Sequence, residues 1–282
     1  MLYEEYESHI SHDMESFNTV IFSDSHGWRL TKNKPYLDSV LRESKIMNFS
    51  FGSDSYGDML VKFNWLCSSG SKIDNIILSV DDHMLSKSSN NRNRTIAYSS
   101  SQLHSEVYKV SSLKYFYYWI VRYFPMLYPS NQQLIKEFFK GKITGWFADE
   151  SDTELIWENR RHSYKVEQVN SRVRSFFGPD TVRYRKHLKG ILKEIIKLAN
   201  DNQIRVVGVK FPIDSLMNNR IHEICAYDSV RNVSADLGVK HFIDLQEKYQ
   251  KSRFLSNEDH VNYNGAAKSI EDIVKYMDNL RN

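Results

Sequence analysis

The amino-acid sequence predicts an α/β protein with three α/β/α layers, built on a five-stranded, mostly parallel sheet and carrying a largely helical insertion. Short apolar, β-branched runs alternate with segments whose apolar residues recur at helical spacing, which is the pattern of a parallel sheet covered by helices on both faces. The run at 73–80 is nearly all apolar after its first polar residues, as expected for a central strand. The predicted strands are residues 19–23, 46–51, 73–80, 204–211 and 241–245.

Helices are predicted between these strands in the first third of the chain. Pro35 favours a helix start, because its fixed backbone angle suits the first turn, and this helix is expected to reach Glu43. Residues 56–68 carry apolar side chains at helical spacing and form the next predicted helix.

Helices alternate with strands again in the last third. Asp180 is a predicted N-cap for a helix that continues to residue 199. Gly238 is a predicted stop for a helix over 215–237, since glycine suits the residue after a helix end. The last helix is expected to begin near residue 264.

The alternation breaks over residues 84–178, where aromatic and helical segments follow one another without clear strands. We therefore expect one domain over 1–282, with 84–178 as a helical, aromatic-rich insertion or lid. The sequence shows no internal repeat.

Composition narrows the functional class. The chain has 282 residues, 41% hydrophobic and 26% charged, and a net charge of +3, which is typical of a soluble globular protein. Lys and Arg are spread along the chain and form no compact basic block, so nucleic-acid binding is not expected. Cys67 and Cys225 lack metal-type spacing and are expected to be buried free thiols.

Location is predicted from two segments. Residues 1–15 are acidic and polar, without the apolar region of a signal peptide, so a cytoplasmic protein is expected. The most apolar stretch, residues 113–127, is too short to span a bilayer and is interrupted by charged residues and proline, but it leaves peripheral membrane contact open.

Reactive side chains follow the first predicted strand. Asp24, Ser25 and His26 stand where open α/β sheets build active sites, at the carboxyl end of a strand. Two chemistries fit these residues. Ser25 is a candidate nucleophile, and Asp24 with His26 are candidate metal ligands.

Polar residues and glycine at other element boundaries supply partners for a serine nucleophile. His260, before the last helix, is a candidate base for Ser25, because such pairs assemble in space and not in sequence. Backbone N–H groups of Ser25 and Gly52 are candidate donors to an oxyanion. Asp81 and Asp82 follow the third strand and are expected at the same edge.

These blocks resemble the SGNH (GDSL-like) hydrolase superfamily. Ser23-Asp24-Ser25 is similar to its Gly-Asp-Ser block, Gly52 to its glycine after strand two, and residues 79–82 to its Gly-x-Asn-Asp block. Residues 257–260 stand at its Asp-x-x-His block. The resemblance covers about 18–83 and 180–282.

Two positions depart from the family pattern. Asp81 stands where the family has an oxyanion-binding Asn, and an ionised carboxylate accepts but does not donate. Asp82 and His83 are then alternative donors, or two backbone amides suffice. Asn257 stands at the position of the family's acid, and Asp259, directly before His260, is the candidate substitute, with a backbone carbonyl as a further alternative.

The resemblance implies serine-dependent O-acyl ester chemistry. Ser-His-Gly after Asp24 and the aromatic insertion resemble bacterial glycan-modifying members, which implies O-acetyl transfer to, or removal from, a surface carbohydrate or its precursor. No bound cofactor is implied, although a transferase would take acetyl-CoA as acyl donor. Oligomeric state is left open.

Two other functions compete with this one. Ser-Asp-Ser-His-Gly also resembles the first block of calcineurin-like metallophosphoesterases, in which Asp and His bind metal, but the later blocks of that family are missing. The departures at Asp81 and Asn257 motivate the third alternative, a non-catalytic SGNH-like binding protein.

Overall fold

The computed structural model describes residues 16–32, 34–50, 52, 54–68, 70–86, 157–178, 185–224 and 230–281. Within these residues it contains a five-stranded sheet, all parallel, in the order β2-β1-β3-β4-β5. This confirms the predicted α/β class, and the strand order is one of the common doubly wound arrangements. The strands are β1 (Thr19–Phe22), β2 (Ile46–Asn48), β3 (Asn75–Ser79), β4 (Arg205–Lys210) and β5 (His241–Asp244).

The apolar strand predicted at 73–80 is the middle of the sheet. β3 pairs with β1 on one side and β4 on the other, and each of its residues is buried. Its apolar run follows from this position, because both faces of a central parallel strand are covered by helices.

The second strand is shorter than predicted. β2 ends at Asn48, whose side-chain oxygen accepts a hydrogen bond from the Ser50 N–H, while its side-chain nitrogen donates to the Gly27 carbonyl. The bond to Ser50 is local and competes with continued strand pairing, and the bond to Gly27 ties the end of β2 to the first helix.

Helices cover the sheet, and the predicted bounds Pro35–Glu43 and Tyr56–Ser68 are confirmed. Numbered over the described residues, the helices are α1 (Ser25–Thr31), α2 (Pro35–Glu43), α3 (Tyr56–Ser68), α4 (Asp82–Ser86), α5 (His162–Phe177), α6 (Lys186–Asp201), α7 (Ser215–Ile224), α8 (Val230–Asp236), α9 (Gln246–Tyr249) and α10 (Tyr263–Arg281).

Two helices, α7 and α8, lie within the single helix predicted over 215–237, and residues 225–229 between them are outside the described part. The helical prediction is confirmed for 215–224 and 230–236, and its continuity stays a prediction. The predicted N-cap at Asp180 also lies outside the described residues.

The core is divided by the sheet, because successive strand side chains point to opposite faces. On one face Ile21 and Ile77 pack with residues of α2 and α10, including Leu41 and Ile273. On the other face the Phe22 ring lies 5.8 Å from the Phe63 ring of α3, and α6 packs beside α3. The sheet therefore forms the middle of three layers.

The chain forms two compact units, one of Met1–Ser88 with Thr153–Asn282 and one of Ser89–Asp152. The second unit lies outside the described residues, so the insertion predicted over 84–178 stays a prediction. The last part of that segment, α5, belongs to the first unit and packs against α7 through Val169, Val173 and Met217.

The structure tests the expectations about membrane-spanning segments and cysteines only in part. Among the described helices, none combines the length and apolar character needed to cross a membrane. The apolar stretch 113–127 and Cys225 lie outside the described residues. Cys67 is a free thiol, half-buried where burial was expected.

Candidate active site

The turn between β1 and α1 is built by its own side chains. β1 ends at Phe22, and the Asp24 side chain caps α1 by accepting a hydrogen bond of 3.0 Å from the His26 N–H. The Ser23 hydroxyl accepts one of 3.0 Å from the Gly27 N–H. Small polar residues therefore satisfy amides that a helix start leaves without partners.

Ser25 is the first residue of α1. It is half-buried, and within the described part of the chain its side chain forms no hydrogen bond. The turn therefore leaves the Ser25 hydroxyl uncommitted while the hydroxyl of its neighbour Ser23 is used in the cap. A nucleophilic serine needs this arrangement, since its proton must be open to a base.

Glycine at position 27 is required by close packing. A Cβ atom there would lie 2.4 Å from the Cβ of Ser23 and 2.6 Å from the Oγ of Ser50. The start of α1 therefore approaches the ends of β1 and β2 more closely than any larger residue would allow.

The loop before α10 presents His260. Asn257 organises this loop, since its side-chain oxygen accepts hydrogen bonds from the backbone N–H groups of Asp259 (3.0 Å) and His260 (2.8 Å). Gly265, in the first turn of α10, lets the loop pack closely, because a Cβ there would lie 2.1 Å from the Phe254 carbonyl oxygen.

Two side chains meet the Nδ1 atom of His260. Oδ1 of Asn257 lies 3.1 Å from it with hydrogen-bond alignment, and Oδ1 of Asp259 lies 2.9 Å from it without such alignment. Asn257 is therefore the hydrogen-bond partner, and Asp259 supplies negative charge. Although Asp259 directly precedes His260 in the chain, the loop turns the side chains of Asn257 and Asp259 to the same edge of the His260 ring.

The other ring nitrogen of His260, Nε2, is buried and has no hydrogen-bond partner among the described residues. An imidazole held at Nδ1 and open at Nε2 is the arrangement in which histidine takes a proton from a nucleophile.

Arg172 of α5 pairs with the two acidic residues before His260. Its Nε lies 2.8 Å from Glu258 Oε1 and 3.2 Å from Asp259 Oδ2. Burial opposes the charged form of Asp259, but His260, Arg172 and His26 lower its pKa well below the usual value. Asp259 is therefore a carboxylate at neutral pH.

Three histidines from separate parts of the chain meet at the carboxyl edge of the sheet. The His26 ring centroid lies 4.8 Å from that of His83 and 5.5 Å from that of His260. Because Ser25 directly precedes His26, the ends of β1 and β3 and the loop before α10 converge there. This convergence was expected for parallel strand ends.

His26 lies among carboxylates. Its Nδ1 is 3.1 Å from Asp24 Oδ1 and 3.7 Å from Asp81 Oδ2. Burial disfavours an imidazolium, but Asp24, Asp81 and Asp259 outweigh it and raise the pKa of His26 to about 9. In turn His26 and His83 lower the pKa of Asp24 well below its usual value, although burial opposes this.

His83 joins this group from the start of α4. Its Nε2 lies 2.8 Å from Asp24 Oδ2, and its ring stacks on Phe176 of α5 with centroids 4.9 Å apart. Both His83 and Asp24 are buried. The side chain is therefore turned inward to Asp24.

The predicted oxyanion residues have other contacts. Asp81 accepts hydrogen bonds from the Ser79 hydroxyl (2.6 Å) and the Phe211 N–H (3.0 Å), and burial raises its pKa. Asp82 pairs with Lys210 at 3.2 Å. The oxyanion roles of both carboxyls stay predictions.

Gly52 lies against an aromatic ring. A Cβ at this position would come within 3.2 Å of two ring carbons of Trp28 in α1. The close approach brings the chain after β2 next to the helix that Ser25 begins. Its predicted role as a backbone donor stays a prediction.

Sequence reasoning missed two contributors. His83 was expected only as an alternative oxyanion donor, and its pairing with Asp24 was not predicted. Arg172 carried no signal, because it lies on a helix far from every motif in sequence. A signal for His83 was present in the sequence, as Asp-x-His after the first predicted strand and Asp-Asp-His after the third.

Some of these residues could hold a metal ion. Asp24, His26 and His83 each offer one ligand atom, and these atoms lie within 4.8 Å of one another. All three side chains are buried.

Fold and site together define a doubly wound α/β protein whose sheet edge gathers one candidate nucleophile, three histidines and several carboxylates. No protein-family model and no curated protein matches the chain.

Proposed function

We propose that this protein carries out serine-dependent O-acyl ester chemistry, with Ser25 as nucleophile and His260 as base. The observation that carries the proposal is the state of His260. Its Nδ1 faces Asn257 and Asp259, while its Nε2 is buried without a hydrogen-bond partner among the described residues, at the sheet edge where Ser25 begins α1.

The reaction follows from these roles. Ser25 Oγ attacks the acyl carbonyl carbon as its proton passes to His260 Nε2, and the carbonyl oxygen becomes an oxyanion. His260 then gives the proton to the leaving group, an alkoxide from an ester or the CoA thiolate from acetyl-CoA, which departs as an alcohol or a thiol and leaves an acyl ester on Ser25. Water or an acceptor hydroxyl attacks that ester, and His260 again carries the proton.

Asp259 and Asn257 divide the task of the single acid in a serine triad. Asn257 Oδ1 accepts a hydrogen bond from the Nδ1–H group and thereby sets the tautomer and the ring orientation. Asp259, kept ionised, stabilises the imidazolium that forms when Ser25 loses its proton. A charge at 2.9 Å in a buried site stabilises this cation far more than it would in water.

The substrate proposed is an O-acetylated carbohydrate, or a carbohydrate acceptor of an acetyl group. This choice is supported by the resemblance of the Ser25 turn to bacterial glycan-modifying SGNH enzymes, and we place such a protein in the cytoplasm. An O-acetylesterase would use water in the second step, and an O-acetyltransferase a sugar hydroxyl with acetyl-CoA as donor.

Fluorophosphonate labelling tests the nucleophile. We expect the probe to label wild type once, and Ser25→Ala to abolish labelling and the hydrolysis of p-nitrophenyl acetate. Ser215→Ala is a matched control, since Ser215 is also half-buried and also the first residue of a helix, α7.

Other outcomes reject the proposal. Labelling that persists in Ser25→Ala excludes Ser25 as the nucleophile. No labelling, together with phosphoester hydrolysis that EDTA abolishes, would favour the metallophosphoesterase alternative. No labelling and no hydrolysis of either ester class would favour a binding protein.

Acetate release from a panel of O-acetylated glycans tests the substrate. We expect wild type to release acetate from at least one glycan faster than from p-nitrophenyl acetate, or to transfer acetyl groups from acetyl-CoA to the deacetylated glycan. Equal, low rates on all glycans would reject a carbohydrate substrate but would not bear on Ser25 as the nucleophile.

A further inference from the structure

We propose that Asp24, His26 and His83 form a binding site for one divalent transition-metal ion of the Zn²⁺ class. The site is separate from the roles given to Ser25 and His260. It does not depend on the proposed ester chemistry.

The donor set is the first reason. Imidazole nitrogens and a carboxylate oxygen are ligands that Zn²⁺ and its neighbours prefer. The three ligand atoms lie within 4.8 Å of one another. A tetrahedral ion about 2.1 Å from each ligand would hold them about 3.4 Å apart. His83 Nε2 and Asp24 Oδ2, now 2.8 Å apart, would have to separate slightly, and the widest pair would have to close by up to about 1.4 Å.

Unsatisfied nitrogens on His26 are the second, independent reason. Both ring nitrogens are buried and lack a hydrogen-bond partner within the described residues, even though Nδ1 lies 3.1 Å from an Asp24 oxygen. The two groups are close but badly aligned for a hydrogen bond. A buried nitrogen without a partner is costly, and a coordinated ion would satisfy it.

The surrounding charges are the third reason. Asp81 lies 3.7 Å from His26 and supplies a second carboxylate beside the ring. Asp259 lies beside His260, whose ring is 5.5 Å from that of His26. These buried carboxylates favour positive charge at His26, and a metal ion that replaces the His26 proton on binding would be stabilised by the same charges.

The site has structural support around its ligands. The His83 ring stacks on Phe176, and the His26 ring lies parallel to that of Phe211 with centroids 6.4 Å apart. Aromatic packing of this kind limits ring rotation and excludes water, as in established metal sites.

Binding would restrict the turn that carries Ser25. Two ligands, Asp24 and His26, flank Ser25 in the chain, and the third comes from the end of a neighbouring strand. An ion bound to all three would tie the start of α1 to the start of α4. The effect is on the position of the turn and needs no chemical step at the ion.

Cobalt and zinc titrations test the proposal without an activity assay. Chelator-treated wild type should retain one Co²⁺ per chain after gel filtration, with visible d–d absorption, and Zn²⁺ should raise its Tm. Asp24→Asn and His83→Asn should each raise the Kd for Co²⁺ by about 100-fold or more, because loss of a residue that only supports a ligand already costs about 10–100-fold. His162→Asn is the control, since His162 is an exposed histidine.

Defined results would overturn the proposal. It fails if wild type retains less than one ion, or if Asp24→Asn and His83→Asn, shown to be folded by circular dichroism, bind as well as wild type. It also fails if His162→Asn removes the ion. Should either site variant not fold, X-ray absorption of Zn²⁺-loaded wild type decides, because a site with two imidazole nitrogens is expected.

The two proposals fail separately. Fluorophosphonate labelling of Ser25 requires no metal, so metal-free wild type should still be labelled, and a lack of labelling leaves the cobalt spectrum unchanged. If chelator-treated protein hydrolyses a phosphoester only after the metal ion is added back, the metal site is supported and the serine mechanism is rejected.

Discussion

The Nδ1 atom of His260 lies 2.9 Å from the carboxylate of Asp259, the residue directly before it in the chain. Adjacent side chains usually diverge. Here Asn257 accepts two backbone hydrogen bonds and turns the loop, so that the carboxylate and the imidazole meet. The arrangement separates two functions that a triad acid combines, hydrogen bonding and charge.

Asp259→Asn should impair ester hydrolysis more than Asn257→Ala. Loss of the charge removes stabilisation of the imidazolium, and we expect kcat to fall by about 10²–10⁴-fold, as for other triads. Asn257→Ala removes the hydrogen bond to Nδ1, which should lower kcat about tenfold, and two backbone hydrogen bonds of the loop, which should lower stability. Steady-state kinetics on p-nitrophenyl acetate measure both, and an equal loss in the two variants would contradict the division of roles.

Arg172→Gln should lower both stability and kcat. The substitution leaves Glu258 and Asp259 without their cation, and we expect the free energy of unfolding to fall by about 1–2 kcal/mol, because Arg172 is one-third exposed and solvent screens the pair. The KM should change little, since Arg172 acts through Asp259. Urea denaturation and kinetics measure these effects.

Arg174→Gln is the matched control for this prediction. Arg174 lies on the same helix, α5, but is exposed. A similar effect of both substitutions would mean that Arg172 stabilises α5 in general and does not position the loop before His260.

Stability should depend on pH through Asp259. Burial raises the pKa of Asp259, but His260, Arg172 and His26 lower it by more than burial raises it. The pKa in the folded protein therefore lies below the unfolded value of about 3.9. A group with a depressed folded pKa stabilises the protein above its unfolded pKa and loses this contribution as the pH falls through the folded pKa.

The stability advantage of wild type over Asp259→Asn should therefore be constant down to about pH 4. Below that it should shrink by up to about 1.4 kcal/mol per pH unit. Urea denaturation of both proteins between about pH 3 and pH 7 measures this. A difference that grows on acidification would show that Asp259 is not the stabilising anion.

Gly27→Ala should destabilise the protein, whereas Gly190→Ala should stabilise it. A Cβ at position 27 meets Ser23 and Ser50 at 2.4–2.6 Å, and overpacking of this kind costs about 1–3 kcal/mol. Gly190 lies in α6 with nothing within 4 Å of an added Cβ, and alanine in a helix is favoured over glycine by about 1 kcal/mol. Thermal unfolding should therefore show Tm shifts of opposite sign.

Much of the fold was predictable because it depends on local patterns. The bounds of α2 and α3 followed from a proline at a first-turn position and from helical spacing. The early end of β2 depends on contacts of Asn48 with Gly27, which are distant in sequence.

Some features of the candidate site were also predictable from local sequence, and others were not. Ser25 and His260 stood out at element boundaries, and the parallel strand order explains why such boundaries share an edge. The pairing of Asp24 with His83, the pairing of Arg172 with Asp259 and the free Nε2 of His260 depend on side-chain directions across distant segments.

The sequence by itself determined the α/β class, the strand positions and the candidate pair Ser25 and His260, because periodicity and turn residues act over a few neighbouring positions. Only the tertiary structure decided which partner faces each nitrogen of His260 and that His83 turns inward to Asp24. These outcomes depend on distances of a few ångströms between residues far apart in the chain, and hydrogen bonding and charge pairing change sharply over such distances.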